Sequence, residues 1–244
     1  MVINLLTLSY DHDNITVLCE GTTYRNEAYM KDEKEMRKKL QECAMEEFLE
    51  KGFMKASLRS ICKKAGVTTG ALYFFFEDKD DLFVSLVQEP LAGVREAMER
   101  HFLGEKQTME AGELYGNEAQ EGDADDYQTT LNIVHALYQY RDRFRLLLEK
   151  SQGSSVEKAV DEIICICEGH YRILADMMQQ HIGGEKISHD VIHWIAHMQI
   201  DVFVYAVTHI DTEEETVRYM DRAVKYMVCG WYGMFGVKPD IMGD

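Results

Sequence analysis

The sequence predicts an all-α protein, with a small three-helix unit near its N-terminal end and a larger helical body behind it. Three observations carry that expectation. Beyond residue 31, apolar residues recur three and four apart over long segments, and strand-like alternation is nearly absent. Only Pro90 and Pro239 interrupt 244 residues. Ser, Thr or Asp stands just before several periodic segments, and Gly just after others.

Taken in order, residues 1–30 alternate around DHDN as a hairpin would, but a lone hairpin is marginal in water, so a loosely held or disordered extension is expected. Asp32 with Glu35 opens the first helix, whose buried stripe is Met36, Leu40, Ala44 and Phe48, and Gly52 ends it. Ser57 caps a short second helix with Leu58, Ile61, Cys62 and Ala65 on one face. Gly66 stops that helix, Val67 plugs the turn, and Thr68 caps a third helix of about two turns. Asp78 with Asp81 opens a fourth, placing Leu82, Phe83, Leu86 and Val87 inward. Pro90 is expected to end or kink it. The acidic, glycine-punctuated stretch 104–126 reads as a loop. Helices then follow over 127–140, 142–150, from the Ser154/Glu157 capping box to about Ile182, from Ser188 to about Ile210, and from the Thr212/Glu215 box to about Phe235.

Charge divides the chain as well. The net charge is −17, yet residues 31–79 carry eleven Lys and Arg against nine acids, a net of +2. The excess acid lies almost wholly in residues 80–244. A slightly basic unit joined to an acidic body suits a binding module for a polyanion better than the overall charge does. The six cysteines are too scattered for a disulfide framework or a zinc ribbon, which points to a reducing cytoplasm. No apolar run approaches the ~20 residues of a membrane span.

The run Tyr73-Phe74-Phe75-Phe76 raises a question of its own, since a core helix does not bury four rings in succession. On a helix from Thr69, Leu72 and Phe76 share the inward face. Thr68, Thr69, Tyr73 and Phe74 then project outward, with Phe75 at the boundary. Helix, glycine turn and short second helix is the helix-turn-helix arrangement, whose second helix enters the major groove.

The set Ala65-Gly66-Val67, Gly70, Leu72-Tyr73, Phe76, Lys79 and Leu82-Phe83, with Phe48 and Gly52 before it, resembles the DNA-binding domain of the tetracycline-repressor (TetR/AcrR) family of bacterial regulators over about residues 34–87. The resemblance implies a helix-turn-helix DNA-binding domain over 31–78 and a helical effector-binding and dimerisation domain over 79–244. It implies a homodimer on a palindromic double-stranded operator, released by a small-molecule effector. It places phosphate contacts at Ser57, Thr68, Tyr73 and Lys79, and base-proximal positions at Thr69, Gly70 and Phe74. Thr69 stands where the family often has Lys or Arg, and Phe75 where a polar residue is common. Few bidentate base contacts are therefore expected, with more readout through methyl groups and shape.

In the body, Ser188–Ile210 and Thr212–Phe235 are expected to form the dimer interface, with Ile200, Phe203, Met220, Met227 and Trp231 as anchors. An apolar or cationic effector is expected, in a pocket drawn from His135, Tyr138, Phe144, Tyr171, Met177, Met178 and Tyr205. His189, His193, His197 and Asp201 recur every four residues, with Cys167 and His170 on the preceding helix, so metal sensing is the alternative reading. A helical adaptor that has left DNA is another. No catalytic constellation is present in the sequence, and no enzyme activity, cofactor or metal site is assigned.

Overall fold

A computed structural model describes residues 20–110 and 131–237. The chain forms α1 (Glu20–Lys55), α2 (Leu58–Ala65), α3 (Thr69–Phe75), α4 (Lys79–Glu110), α5 (131–139), α6 (Arg141–Lys150), α7 (Ala159–Ile182), α8 (His189–His209) and α9 (Glu213–Met234). Every regular element among the described residues is helical. Of the extension expected over residues 1–30, residues 1–19 lie outside them, as does most of the acidic loop, while residues 20–30 are helical rather than hairpin or disordered.

The caps explain most boundaries. Gly52 leaves helical geometry at φ 72°, ψ 164°, which ends the regular part of α1. Gly66 is left-handed at φ 74° and donates its N–H back to the Cys62 and Lys63 carbonyls, so a side chain there would be strained. The Thr68 hydroxyl accepts the Ala71 N–H at 3.2 Å. Asp78 accepts from the Asp81 N–H at 2.8 Å while Asp81 accepts from the Glu77 N–H at 2.9 Å, and α4 begins there. Ser188 accepts the Val191 N–H, and Thr212 exchanges bonds with both the backbone and the carboxylate of Glu215.

Four expectations are corrected. First, α1 begins by Glu20, not at Asp32. Glu, Ala, Met, Lys and Arg dominate its sequence onward from Asn26, and these are strong helix formers that carry the helix past the Asp32/Glu35 signal. Second, Gly104–Glu110 is helix rather than loop. Met109 is buried against Leu174 and Met178, and Thr108 bonds the Gly104 carbonyl, so packing holds the end of α4. Third, α4 continues through Pro90. The ring leaves the Leu86 carbonyl without its usual partner, but Pro90, Leu86, Val87 and Leu91 are all buried, so packing carries the helix beyond it. Fourth, the Ser154/Glu157 box does not open α7. The Glu157 carboxylate is used instead by the Gly153 N–H at 2.6 Å, and the helix starts at Ala159 without a side-chain cap.

One apolar cluster runs from Leu40, Phe48, Ile61, Leu72, Phe76 and Phe83 through Leu146, Ile163, Cys167 and Ala196. It joins the three-helix unit to α6, α7 and α8. Phe48, Phe53 and Phe83 meet in edge and stacked contacts at 5.0–6.1 Å between centroids. Burial in this cluster pushes the Cys167 thiol up to about 12, so it stays a protonated, unreactive core group. The turn before α7 also docks on the unit: the Ser155 N–H donates to Asp80 at 2.8 Å. Gly153, at φ 86°, leaves room for the Met54 thioether, which a β-carbon there would meet at 2.2 Å.

α8 is apolar enough by length and composition to cross a membrane, although no such run was expected from the sequence. A third of that stretch is buried, and Ile192, Ile195, Ala196, Ile200, Ala206 and Val207 form its inward face.

Candidate nucleic-acid interface

The interface is built on a buried frame. Leu72 and Phe76 are buried, as the spacing requires, while Tyr73 is 54% and Phe74 70% exposed. Phe75 packs partly against the core and meets Phe74 edge-on at 5.1 Å. The unbroken aromatic run therefore divides into anchors and outward rings. Two of four rings face away from the protein.

Beneath this surface lies a residue that the sequence reading did not single out. Glu47, on the inner face of α1, is completely buried. Its carboxylate accepts from Lys51 Nζ at 2.7 Å, from the Ser60 hydroxyl at 2.8 Å and from the Ser57 N–H at 3.3 Å. Lys64 adds an ion pair at 3.8 Å. Burial pushes its pKa upward, but the bonds from Lys51, Ser60 and Ser57 outweigh it and hold the carboxyl below its ordinary value. The only signal in the sequence was an acid one residue before Phe48, next to the apolar stripe.

Each predicted contact residue can now be placed. Ser57 is exposed and precedes α2, but its hydroxyl makes no capping bond and its N–H is taken by Glu47. Thr68 uses an acceptor lone pair on Ala71, which leaves its O–H to donate outward. Thr69 is half-buried, next to the core in which burial raises the pKa of the Cys62 thiol. Gly70 is exposed, with only Thr68 Oγ1 near a notional β-carbon, at 3.8 Å. Lys79 is engaged more than expected. Its ammonium donates to the Phe53 carbonyl at 2.8 Å and sits 4.5 Å above the Phe53 ring centroid, closing the end of α1. It also donates to the Met54 carbonyl at 3.4 Å, so one of its three N–H groups is left for another acceptor.

The seven residues expected to line a pocket are not brought together. Tyr171, Met177 and Met178 share a cluster with Met109, Leu174 and Trp231. Phe144 belongs to a separate one with Leu137 and Val207. The Tyr138 hydroxyl bonds the Ile210 carbonyl and Thr216, so it is a structural tie between α5 and the α8–α9 junction. His135 is exposed and pairs with Glu213 at 2.9 Å, and Tyr205 is exposed, stacked on His209. Spacing along helices could not show which helix ends meet.

The histidine stripe has a partner, but it is a carboxylate. His189 and His193 reach Glu168 at 3.2 and 2.9 Å, and Arg172 bonds Glu168 at 2.9 Å. The hydrogen bond from His193 leads in holding the Glu168 carboxyl below its ordinary value. Cys167 and His170 do not join this set. Cys167 is in the core, and His170 stacks on Phe102 at 3.9 Å and bonds Glu105. Among the described residues no group of three or more His, Cys, Asp or Glu is arranged to hold a metal.

Comparison with known proteins follows the same outline. Over 70 residues the chain is 32% identical to a fatty acid metabolism regulator protein of Bacillus subtilis, covering 29% of this chain and 36% of that one. Over 53 residues it is 45% identical to the HTH-type transcriptional repressor BepR of Brucella suis, covering 22% and 25%. The matched stretch thus spans only about a quarter to a third of these relatives' length. Among solved structures, NalD, the secondary repressor of the MexAB-OprM multidrug efflux pump in Pseudomonas aeruginosa, is similar with a TM-score of 0.47 and 20% identity, covering 80% of this chain and 96% of that one. Residues 42–86 match the family described as bacterial regulatory proteins, tetR family, which takes in the Glu47 frame, the Gly66 turn and the whole of α3. Over that head, the chain is similar to the tetR family of bacterial regulatory proteins.

Proposed function

We propose that the chain is a ligand-responsive transcriptional regulator, a repressor in action, that binds a palindromic DNA operator as a homodimer in the cytoplasm. The observation that carries this reading is the outward face of α3, where Tyr73 and Phe74 stand exposed on a helix anchored by Leu72 and Phe76. In a helix-turn-helix, that face enters the major groove while the preceding helix crosses the backbone. Ser57, Thr68, Tyr73 and Lys79 supply the phosphate contacts and Thr69, Gly70 and Phe74 lie nearest the bases. The repressor role draws on the name of the Brucella relative.

Dimerisation uses α8 and α9. Met220 and Ile200 are buried within the protomer itself, so the free apolar surface is carried instead by Trp194, Tyr205, Tyr226 and Met234. Effector binding acts through α4, the helix shared by head and body. The hinge lies at Val87–Leu91, where Pro90 removes a backbone hydrogen bond. An apolar or cationic effector suits the acidic body, near Tyr171, Met177 and Met178. It shifts the DNA-competent population only by its differential affinity for two states, commonly about 1–3 kcal/mol.

The test is fluorescence anisotropy of labelled duplexes covering the DNA beside the chain's own gene, titrated with the purified protein. A duplex bound far more tightly than scrambled DNA, with affinity falling linearly against log salt, is the expected result. Equal, weak binding to all duplexes would overturn it.

A further inference from the structure

We infer that Phe74 is a specificity-determining residue that reads the C5-methyl group of a pyrimidine, thymine in ordinary DNA; this rests on the DNA-binding reading above. Sequence-specific hydrogen bonding to base edges comes mainly from Arg, Lys, Asn, Gln, Glu and Asp. The helix TGALYFF carries none of these. Of the three base-proximal positions, Gly70 has no side chain and Phe74 has no polar atom. Thr69 does have a hydroxyl, but the residue is only half exposed. The most exposed of the three side chains offers the bases only carbon.

Phe74 is suited to that task by geometry. It is the most exposed large apolar side chain among the described residues, at 70%. Its ring is braced edge-on by Phe75, which is itself packed against the core, so it stands outward without collapsing onto the head. Gly70, one turn earlier on the same face, adds no bulk to hold the helix off. In the major groove the thymine methyl is the apolar feature that such a ring can cover. Tyr73 beside it ends in a hydroxyl suited to phosphate, which positions without specifying sequence.

The experiment replaces each thymine of the bound operator in turn by uracil, which deletes the methyl and leaves every hydrogen-bonding group. The full-length parent and the Phe74→Ala variant are titrated against each duplex. For the parent, one or two positions in each half-site are expected to lose about fourfold in affinity per methyl, the value of one buried methylene-sized group. For Phe74→Ala, thymine and uracil duplexes should bind equally at those positions, with unchanged thermal stability because the ring is exposed. A 5-methylcytosine·guanine pair at the same position should bind the parent better than cytosine·guanine. Equal binding of thymine and uracil duplexes by the parent, or discrimination that survives in Phe74→Ala, would overturn the assignment while leaving DNA binding intact. Failure to bind any duplex specifically would remove both.

Discussion

Glu47 and Ser60 are joined by a 2.8 Å hydrogen bond that fastens α1 to α2 through a carboxylate with no solvent exposure. The same carboxylate takes the Ser57 N–H, so the edge of the head that would meet phosphate is fixed from below by a buried negative charge. Lys51 and Lys64 gather around it, and both keep part of their side chains in solvent.

Replacing Glu47 by Ala is expected to lower stability by about 1–3 kcal/mol, because Ser60 and the Ser57 N–H lose their acceptor. Glu47→Gln should cost less, since the amide oxygen still accepts. The pH dependence has a defined sign. The folded carboxyl titrates below its ordinary value, so its contribution is complete above the unfolded value of about 4.3 and is lost as pH falls through the folded one. The stability gap between parent and Glu47→Gln, measured by urea unfolding from pH 7 to pH 3, should therefore narrow toward low pH. A gap that widened would contradict the account.

Leu72→Ala and Phe74→Ala, two positions apart on one short helix, should behave as opposites. Leu72 is fully buried, and its truncation should cost about 2–5 kcal/mol. Truncating exposed Phe74 should stay within about 0.5 kcal/mol. Thermal melts of the two variants against the parent check both.

The contrast shows what was legible. Periodicity fixes which side of α3 is buried, since Leu72 and Phe76 four apart leave Tyr73 and Phe74 nowhere to go but out. Caps were equally legible at Gly66, Thr68, Asp78, Ser188 and Thr212, because each is a local backbone matter. The interior position of Glu47 was not, because its partners lie four to seventeen residues away and meet only when α1 and α2 pack. The separation of the expected pocket residues into different clusters was hidden for a related reason. Tyr138 and Tyr171 both suit an apolar pocket by type, yet one closes the α8–α9 junction and the other faces Trp231 at 5.2 Å.

Tyr73→Ala and Lys79→Ala should both weaken DNA binding across sequences. Lys79→Ala should also lower the salt slope by about one unit. Because Lys79 closes the end of α1 on Phe53, its variant should lose about 1 kcal/mol of stability too. Anisotropy at several salt concentrations separates the two effects: an unchanged slope would assign the ammonium wholly to α1.

Trp194→Glu and Tyr226→Glu should shift the protein from dimer toward monomer. Their rings are 58% and 67% exposed in the protomer, more apolar surface than an isolated helix pair usually leaves in water. Sedimentation velocity at micromolar concentration should give a dimer for the parent and material near 28.2 kDa for the variants. A parent that sediments as a monomer would remove the dimer.

Zinc at micromolar concentration should leave operator affinity unchanged, and His193→Ala should leave it unchanged with or without zinc. His189 and His193 are already committed to Glu168 and Arg172. Release by zinc that is lost in His193→Ala would promote the stripe to the sensor.

The most direct test is selection of bound duplexes from a random DNA pool by the full-length protein. The account predicts an enriched palindrome, its half-sites centred about one helical turn, ~34 Å, apart, with thymines at the steps nearest the centre of each α3. A pool that shows no enriched sequence after repeated rounds would contradict the claim that this face reads DNA.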